Sequence, residues 1–170
     1  MTNDFLQDKE FLLKVNRYKH RVYYAKITIL DFETEKPVAS FEGKVTGGSM
    51  SVSASSNTRR TGSLSVVFDD TTKNITDVTN LIAIDKKVDI KIGISNPFNI
   101  TPEYSKYGDI LWFKQGIFII TAASSTISTS AASVSVNFID KMGMLNGTCG
   151  GTFPASTNLH ETLVIDKDGN

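Results

Sequence analysis

Two alternating stretches between Val45 and Asp69 limit what this chain can fold into more than any other feature. In the first, Met50, Val52 and Ala54 alternate with serines, and in the second apolar side chains recur at every other position from Leu64 to Phe68. A period of two is the pattern of a strand with one buried face. The segment between them, residues 56–62, combines turn-forming residues with two adjacent arginines. The pattern predicts a long antiparallel hairpin with a basic turn, whose edges pair with further strands.

Similar stretches on both sides of the hairpin predict the remaining strands. We expect strands at Arg21 to Phe32, Val38 to Val45, Val88 to Ile94, Ile110 to Thr121 and within Ser124 to Phe138. The run Ile110 to Thr121 is apolar on both faces, which predicts a central strand or one covered by another subunit. Gly47 and Gly48 predict a break, bend or bulge after Val45. Helical segments are expected at Asn3 to Val15, Asp77 to Leu81 and Ile139 to Leu145.

This distribution predicts a mainly β fold: an antiparallel β-barrel or split barrel with six to eight strands and one or two short helices. A chain of 170 residues fits one domain. We assign residues 1–18 to an N-terminal arm or short helix, 19–154 to the barrel and 155–170 to a C-terminal extension. The expected core combines one face of the hairpin with the neighbouring strands: Met50, Val52, Leu64, Val66, Phe68, Ile90, Ile92 and Ile119.

The composition provides little that points to catalysis. Cys149 is the only cysteine, and His20 and His160 lie far apart in the sequence, so no nucleophile with an oriented base is apparent. Neither glycine pair continues into a phosphate-binding motif, and Asp166 to Gly169 lacks the rest of a calcium loop. We therefore predict no enzymatic activity, no catalytic or metal-binding residues and no cofactor.

Charge and hydropathy give expectations about partners and compartment. The 18 basic and 18 acidic side chains cancel, which argues against nucleic acid as a specific partner. The longest apolar run contains Lys114 and Gln115 and is too short to cross a bilayer. With no secretory signal pattern at the N-terminus, we expect a soluble protein that is made in a cytoplasm and does not insert into membranes.

Three blocks in this order resemble a known family: VTGGSMSVSASSNTRRTGSLSV, DILWFKQGIFII and IDKMGMLNGTCGGTFP. Together they are similar to the N-terminal domain of tailed-bacteriophage baseplate and tail-hub proteins. The resemblance covers most of Val45 to Pro154. It implies a tail-tube-like β-barrel in a ring that joins the tube to the tip, assembled in the host cytoplasm and located in the virion. It implies partners among other tail and baseplate proteins and copies of itself, and no catalysis.

Three regions are candidates for subunit contacts. Arg59 and Arg60 lie in the hairpin turn, either solvated or as ion-pair anchors, and arginine is enriched at interfaces. Tyr104 and Tyr107 lie in the long loop Ser95 to Gly108. Phe5 and Phe11 lie in the N-terminal arm, which covers either its own barrel or a neighbouring subunit. The alternative function is a carbohydrate- or receptor-binding module of the tail, with Trp112, Tyr104 and Tyr107 as an aromatic platform.

Overall fold

Six antiparallel strands close into a barrel, which confirms the predicted fold class. The structure is a computed structural model that describes residues 4–56, 58–68, 86–127, 131–145 and 147. The strands are β1 (Tyr23–Leu30), β2 (Pro37–Val52), β3 (Arg60–Phe68), β4 (Lys87–Ser95), β5 (Ile110–Ile127) and β6 (Ala132–Asp140). The helices are α1 (Lys9–Arg17) and α2 (Met142–Leu145), and 3-10 turns lie at Asp4–Leu6 and Ser105–Tyr107. The predicted turn at Asp77 to Leu81 and the extension 155–170 lie outside the described residues.

The barrel is strongly sheared, so one end of the hairpin extends beyond its neighbours. The strand order is β1-β2-β3-β6-β5-β4, with β4 pairing back to β1. On one side, Leu30 of β1 pairs with Pro37 of β2. On the other side, the row of paired residues that starts at Leu30 passes around the barrel and reaches β2 again at Ser51. The residues between are Lys87, Ile119, Ile139 and Thr61. Strand tilt and stagger are linked in a closed barrel, so a large stagger carries the β2–β3 tip past one rim.

The barrel interior is filled by the alternating apolar side chains that the sequence singled out. Leu64, Val66 and Ile90 are buried in the main core, and Phe68 and Ile92 pack against it with partial burial. The full buried set is Ala25, Ile27, Ile29, Phe41, Leu64, Val66, Val88, Ile90, Phe118, Ile120, Val134, Val136 and Phe138. The alternation predicts these positions because each strand turns every second side chain inward.

Three of the predicted core residues are elsewhere. Met50 is 38% and Val52 73% exposed, because they lie on the part of the hairpin that projects past the barrel rim. Met50 lines a cavity of about 510 Å³ at this end of the barrel. Ile119 is buried, but on the outer side of the barrel, where it packs with Ile139 and Met144 of α2. The apolar character of β5 on both faces thus reflects a cover supplied by this same chain.

The expectation that the strand ends at Gly47-Gly48 is wrong, and the alternative of a β-bulge is confirmed. β2 is one continuous strand of 16 residues. Its register against β3 shifts between Val45 and Gly47, which leaves Thr46 as the extra residue. A bulge of this kind adds local twist without ending the strand.

The N-terminal arm folds back on the loop between β4 and β5. Asp8 caps α1 by accepting the Phe11 N–H at 2.9 Å, and α1 ends at Arg17, with Tyr18 as its C-cap. Phe5, Phe11 and Val15 form a second buried cluster with Tyr104 and Leu111. The arm therefore covers its own barrel, one of the two alternatives that the sequence left open.

Candidate functional site

A cleft opens where the hairpin tip passes the first half of β5. β6 pairs with β5 only from Phe118 onwards, so residues of β5 before Phe118 have no β6 partner. The space, here called the tip cleft, has a volume of about 600 Å³. It is lined by Val52, Arg59, Arg60, Lys114, Gly116, Ile117, Asp140, Lys141 and Met142.

Arg60 lies across the floor of the tip cleft. Its Nη1 donates to the Gln115 carbonyl oxygen at 2.7 Å, and its guanidinium carbon lies 4.9 Å from the centre of the Phe118 ring. Gly116 has a φ of 125°, and a Cβ there would come within 3.0 Å of Arg60 Nη1. The positive φ is the main reason for glycine at this position, and a Cβ would in addition push the end of the arginine side chain aside by a few tenths of an ångström.

Among the described residues, Asp140 is the only carboxylate that lines the tip cleft. It is 5% exposed, and its oxygens accept the backbone N–H groups of Arg60 at 2.8 Å and Met142 at 3.0 Å. These hydrogen bonds hold the start of β3 and the start of α2 at the end of β6. Both oxygens of the carboxylate thus have backbone donors.

The cations around the cleft differ in how far they are neutralised. Lys141 pairs with Glu35 at 2.5 Å, and Lys87 pairs with the same carboxylate at 3.2 Å. Hydrogen bonds from Lys141 first and Lys87 second hold the pKa of Glu35 below its usual range. Arg59 and Lys114 are exposed and have no acidic partner in the described part of the chain.

The four aromatic candidates lie together, away from the cleft. Phe11 is fully buried and stacks on Tyr104, with ring centres 4.9 Å apart. The Tyr107 hydroxyl donates to Asp8 at 2.9 Å, and the Phe5 and Tyr107 rings are 6.2 Å apart. Lys14 donates to the Tyr104 hydroxyl at 2.6 Å. These side chains are used to hold the arm on the loop, and their contact with another subunit stays a prediction.

Two sheet edges are open within the described residues. β2 pairs with β1 only as far as Lys44 but continues to Val52, and β5 pairs with β4 only as far as Ile119 but continues to Ile127. Both open segments lie at the same level of the sheet β2-β3-β6-β5: one row of partners joins Gly48, Leu64, Val136 and Ala123. Two sides of one four-stranded sheet are thus available for pairing.

The arginine part of the tip cleft can be predicted from the sequence, and the lysine part cannot. The sequence predicts Arg59 and Arg60 as a pair, but adjacent residues in extended backbone point to opposite faces, so of the two only Arg59 is exposed. Lys114 lies on β5 and Lys141 directly follows β6, and the barrel stagger brings both to the cleft. Alternation with Gly62 and Leu64 was the available signal that Arg60 points inward.

Among the described residues, no three His, Cys, Asp or Glu side chains are close enough to hold a metal ion. None of the helices in those residues is long and apolar enough to cross a membrane. Cys149 and His160 lie outside the described residues.

Comparison with known proteins gives a weak structural likeness. No protein-family model and no curated protein matches the chain. Its fold is similar to part of three structures of a PdpA–VgrG complex, two of them named as from Francisella. The half-lidded Francisella form matches with a TM-score of 0.42 and 10% identity over 84% of this chain and 22% of the other. The lidded Francisella form gives 0.41 and 12% over 82% and 18%, and the lidless form 0.41 and 10% over 75% and 21%. The chain therefore spans about a fifth of the length of the chains it matches.

Proposed function

We propose that this chain is a structural subunit of the tip or baseplate of a bacteriophage tail or a related tail-like assembly. It acts through contacts with copies of itself and with neighbouring tail proteins, and without catalysis. The resemblance of three ordered sequence blocks to tail-hub proteins supports the proposal. The antiparallel barrel fits the fold that this resemblance implies. The virion tail, assembled in the host cytoplasm, is the corresponding location.

The single observation that carries the proposal is the pair of open edges on one sheet. Along the sheet β2-β3-β6-β5, neighbouring strands alternate in direction, so β2 and β5 run opposite ways. A copy that places its β2 edge beside the β5 edge of the next copy continues the sheet in antiparallel fashion. Such a contact is heterologous, and copies related by a suitable rotation close into a ring.

The side chains of the two open segments suit a subunit that is free before assembly. Gly47 to Val52 carries two glycines and two serines, and Thr121 to Thr126 consists of threonine, alanine and serine. Backbone groups can pair with a neighbour there, while the free state exposes mainly small side chains (serine, threonine and alanine) and the isolated Met50 and Val52. Edge pairing is therefore possible without a large apolar patch.

The carbohydrate-binding alternative has less support. It needs aromatic rings exposed side by side, and the sequence offered Trp112, Tyr104 and Tyr107. Tyr104 is only 5% exposed and is covered by Phe11. These three residues consequently do not form an open platform.

Edge pairing is tested by placing charges on the two edges. Ser49 and Ser124 both lie on the outer face of the sheet, at its opposite open edges. We expect the parent to form closed rings in light scattering and negative-stain images. Replacing both residues by lysine (Ser49→Lys with Ser124→Lys) should abolish rings, because every contact then brings together two edges that carry the same charge.

The matched control changes the same positions with opposite charges, Ser49→Lys with Ser124→Glu. Complementary charges should restore rings, while circular dichroism melting checks that both variants fold like the parent. A folded parent that stays monomeric at high concentration, or a lysine pair that assembles as well as the control, contradicts the proposal.

A further inference from the structure

We infer that the tip cleft binds a carboxylate-rich, extended segment of a partner protein. The inference concerns a surface separate from the two sheet edges, and it does not depend on ring formation. Positive charge is concentrated at one place in a chain whose formal net charge is zero. Of the residues that the structure describes, four cations and one acid line the cleft.

Asp140 and Glu35 together offset two of the four positive charges, so two remain without a negative partner among the described residues. Both oxygens of Asp140 already accept backbone N–H groups, and the side chain is buried. Lys141 is neutralised by Glu35 from outside the cleft. Arg59 and Lys114 are exposed on opposite walls, one on the hairpin tip and one on β5. An incoming carboxylate between them meets two cations that have no competing acid among the described residues.

Arg60 adds a fixed donor at the floor. Its position is set by the Gln115 carbonyl, the Phe118 ring and the bare backbone of Gly116. A guanidinium has several N–H donors in one plane, and in the described part of the chain only Nη1 has a hydrogen-bond acceptor. Because the group is already ordered, binding a carboxylate costs little side-chain entropy.

The remaining walls favour a protein segment over nucleic acid. Val52, Ile117 and Met142 are apolar, and Val52 and Met142 are exposed by 73% and 42%. Apolar side chains that alternate with acids along an extended segment can contact these walls while the acids face the cations. Nucleic acid instead needs a long track of cations to neutralise successive phosphates. The tip cleft has a short cluster and not a track.

The test uses a dye-labelled peptide of alternating Asp and Val, and its Asn–Val counterpart, in fluorescence anisotropy titrations with the full chain. We expect the acidic peptide to bind at least about tenfold more tightly than the neutral one, with affinity that falls as salt increases. Arg59→Glu combined with Lys114→Glu should weaken binding by at least about tenfold. Lys9→Glu combined with Lys19→Glu, at two exposed cations outside the cleft, changes the net charge equally, serves as the matched control and should leave binding unchanged.

Several results would overturn the inference. One is equal binding of the two peptides, or no binding of either. Another is an equal loss in the control with Lys9→Glu and Lys19→Glu, since that would indicate a response to net charge alone. Tighter binding of a single-stranded oligonucleotide of the same charge would assign the cleft to nucleic acid.

If the charged variants unfold, Arg59→Gln with Lys114→Gln provides the same comparison with a milder change. Ring formation by the parent is measured separately and is not decided by any of these results.

Discussion

At the scale of single residues, Arg60 and Gly116 form an interdependent pair. Arg60→Ala removes one charged hydrogen bond and the contact with the Phe118 ring, and we expect the free energy of unfolding to fall by about 2 kcal/mol. Gly116→Ala should cost about 1–3 kcal/mol, because of its positive φ and the close guanidinium. Urea unfolding of both single variants and the double variant measures the coupling.

The double variant separates the two roles of Gly116. Without the guanidinium, the steric part of the Gly116→Ala cost disappears and the backbone part remains, so the combined cost should be less than the sum. Strictly additive costs would show that Arg60 and Gly116 do not act on each other.

Glu35 makes stability depend on pH in a defined direction. Its folded-state pKa is lowered, chiefly by the hydrogen bond from Lys141 and then by that from Lys87. The ionised Glu35 therefore stabilises the folded state above the usual pKa of 4.5, and this stabilisation is lost as the pH falls through the lower pKa of the folded state. Urea unfolding from about pH 6 to about pH 3 should therefore show a smaller acid loss for Glu35→Gln than for the parent. Glu33→Gln, an exposed change in the same turn, is the control and should follow the parent.

At the scale of elements, the N-terminal arm is held by one side chain above all. Phe11 is fully buried among Tyr104, Tyr107 and Phe98, so Phe11→Ala should lower stability by about 3–5 kcal/mol if the arm unfolds with the barrel. Leu13→Ala on the exposed side of α1 should change it by less than about 0.5 kcal/mol. Hydrogen exchange decides whether the arm is a separate unit: early exchange limited to residues 4–17 and 96–108 would show that it opens alone.

Apart from β5, the strands were predictable because every second side chain is buried in the barrel, as Val88 and Ile90 show on β4. The exposure of Met50 and Val52 was not predictable, because their alternation is the same as that of Leu64 and Val66. What differs is where the barrel rim lies, and the stagger between strands far apart in sequence decides that. The same stagger brings Lys114 and Lys141 to the hairpin tip, which explains why only the arginine part of the cleft was visible in the sequence.

At the scale of the whole molecule, the strands of the closed barrel share one core, so the barrel folds only if that core can form. Val66 is 1% exposed inside it, and Val66→Asp would bury an unpaired charge. The cost of several kcal/mol is comparable to the total stability of a small domain, so we expect no cooperative thermal transition. Val38→Asp, at a position that is 61% exposed, should fold and melt like the parent. A cooperatively melting Val66→Asp variant would refute the core assignment.

The stagger also has a mechanical consequence. β3 is bonded along its whole length, to β2 on one side and to β6 on the other. A pull on the hairpin tip along the strand direction therefore loads these hydrogen bonds together, whereas a pull across the strands would open them one after another. A force along the strands that is applied to the projecting hairpin is thus carried into the barrel without breaking the strand pairs one by one.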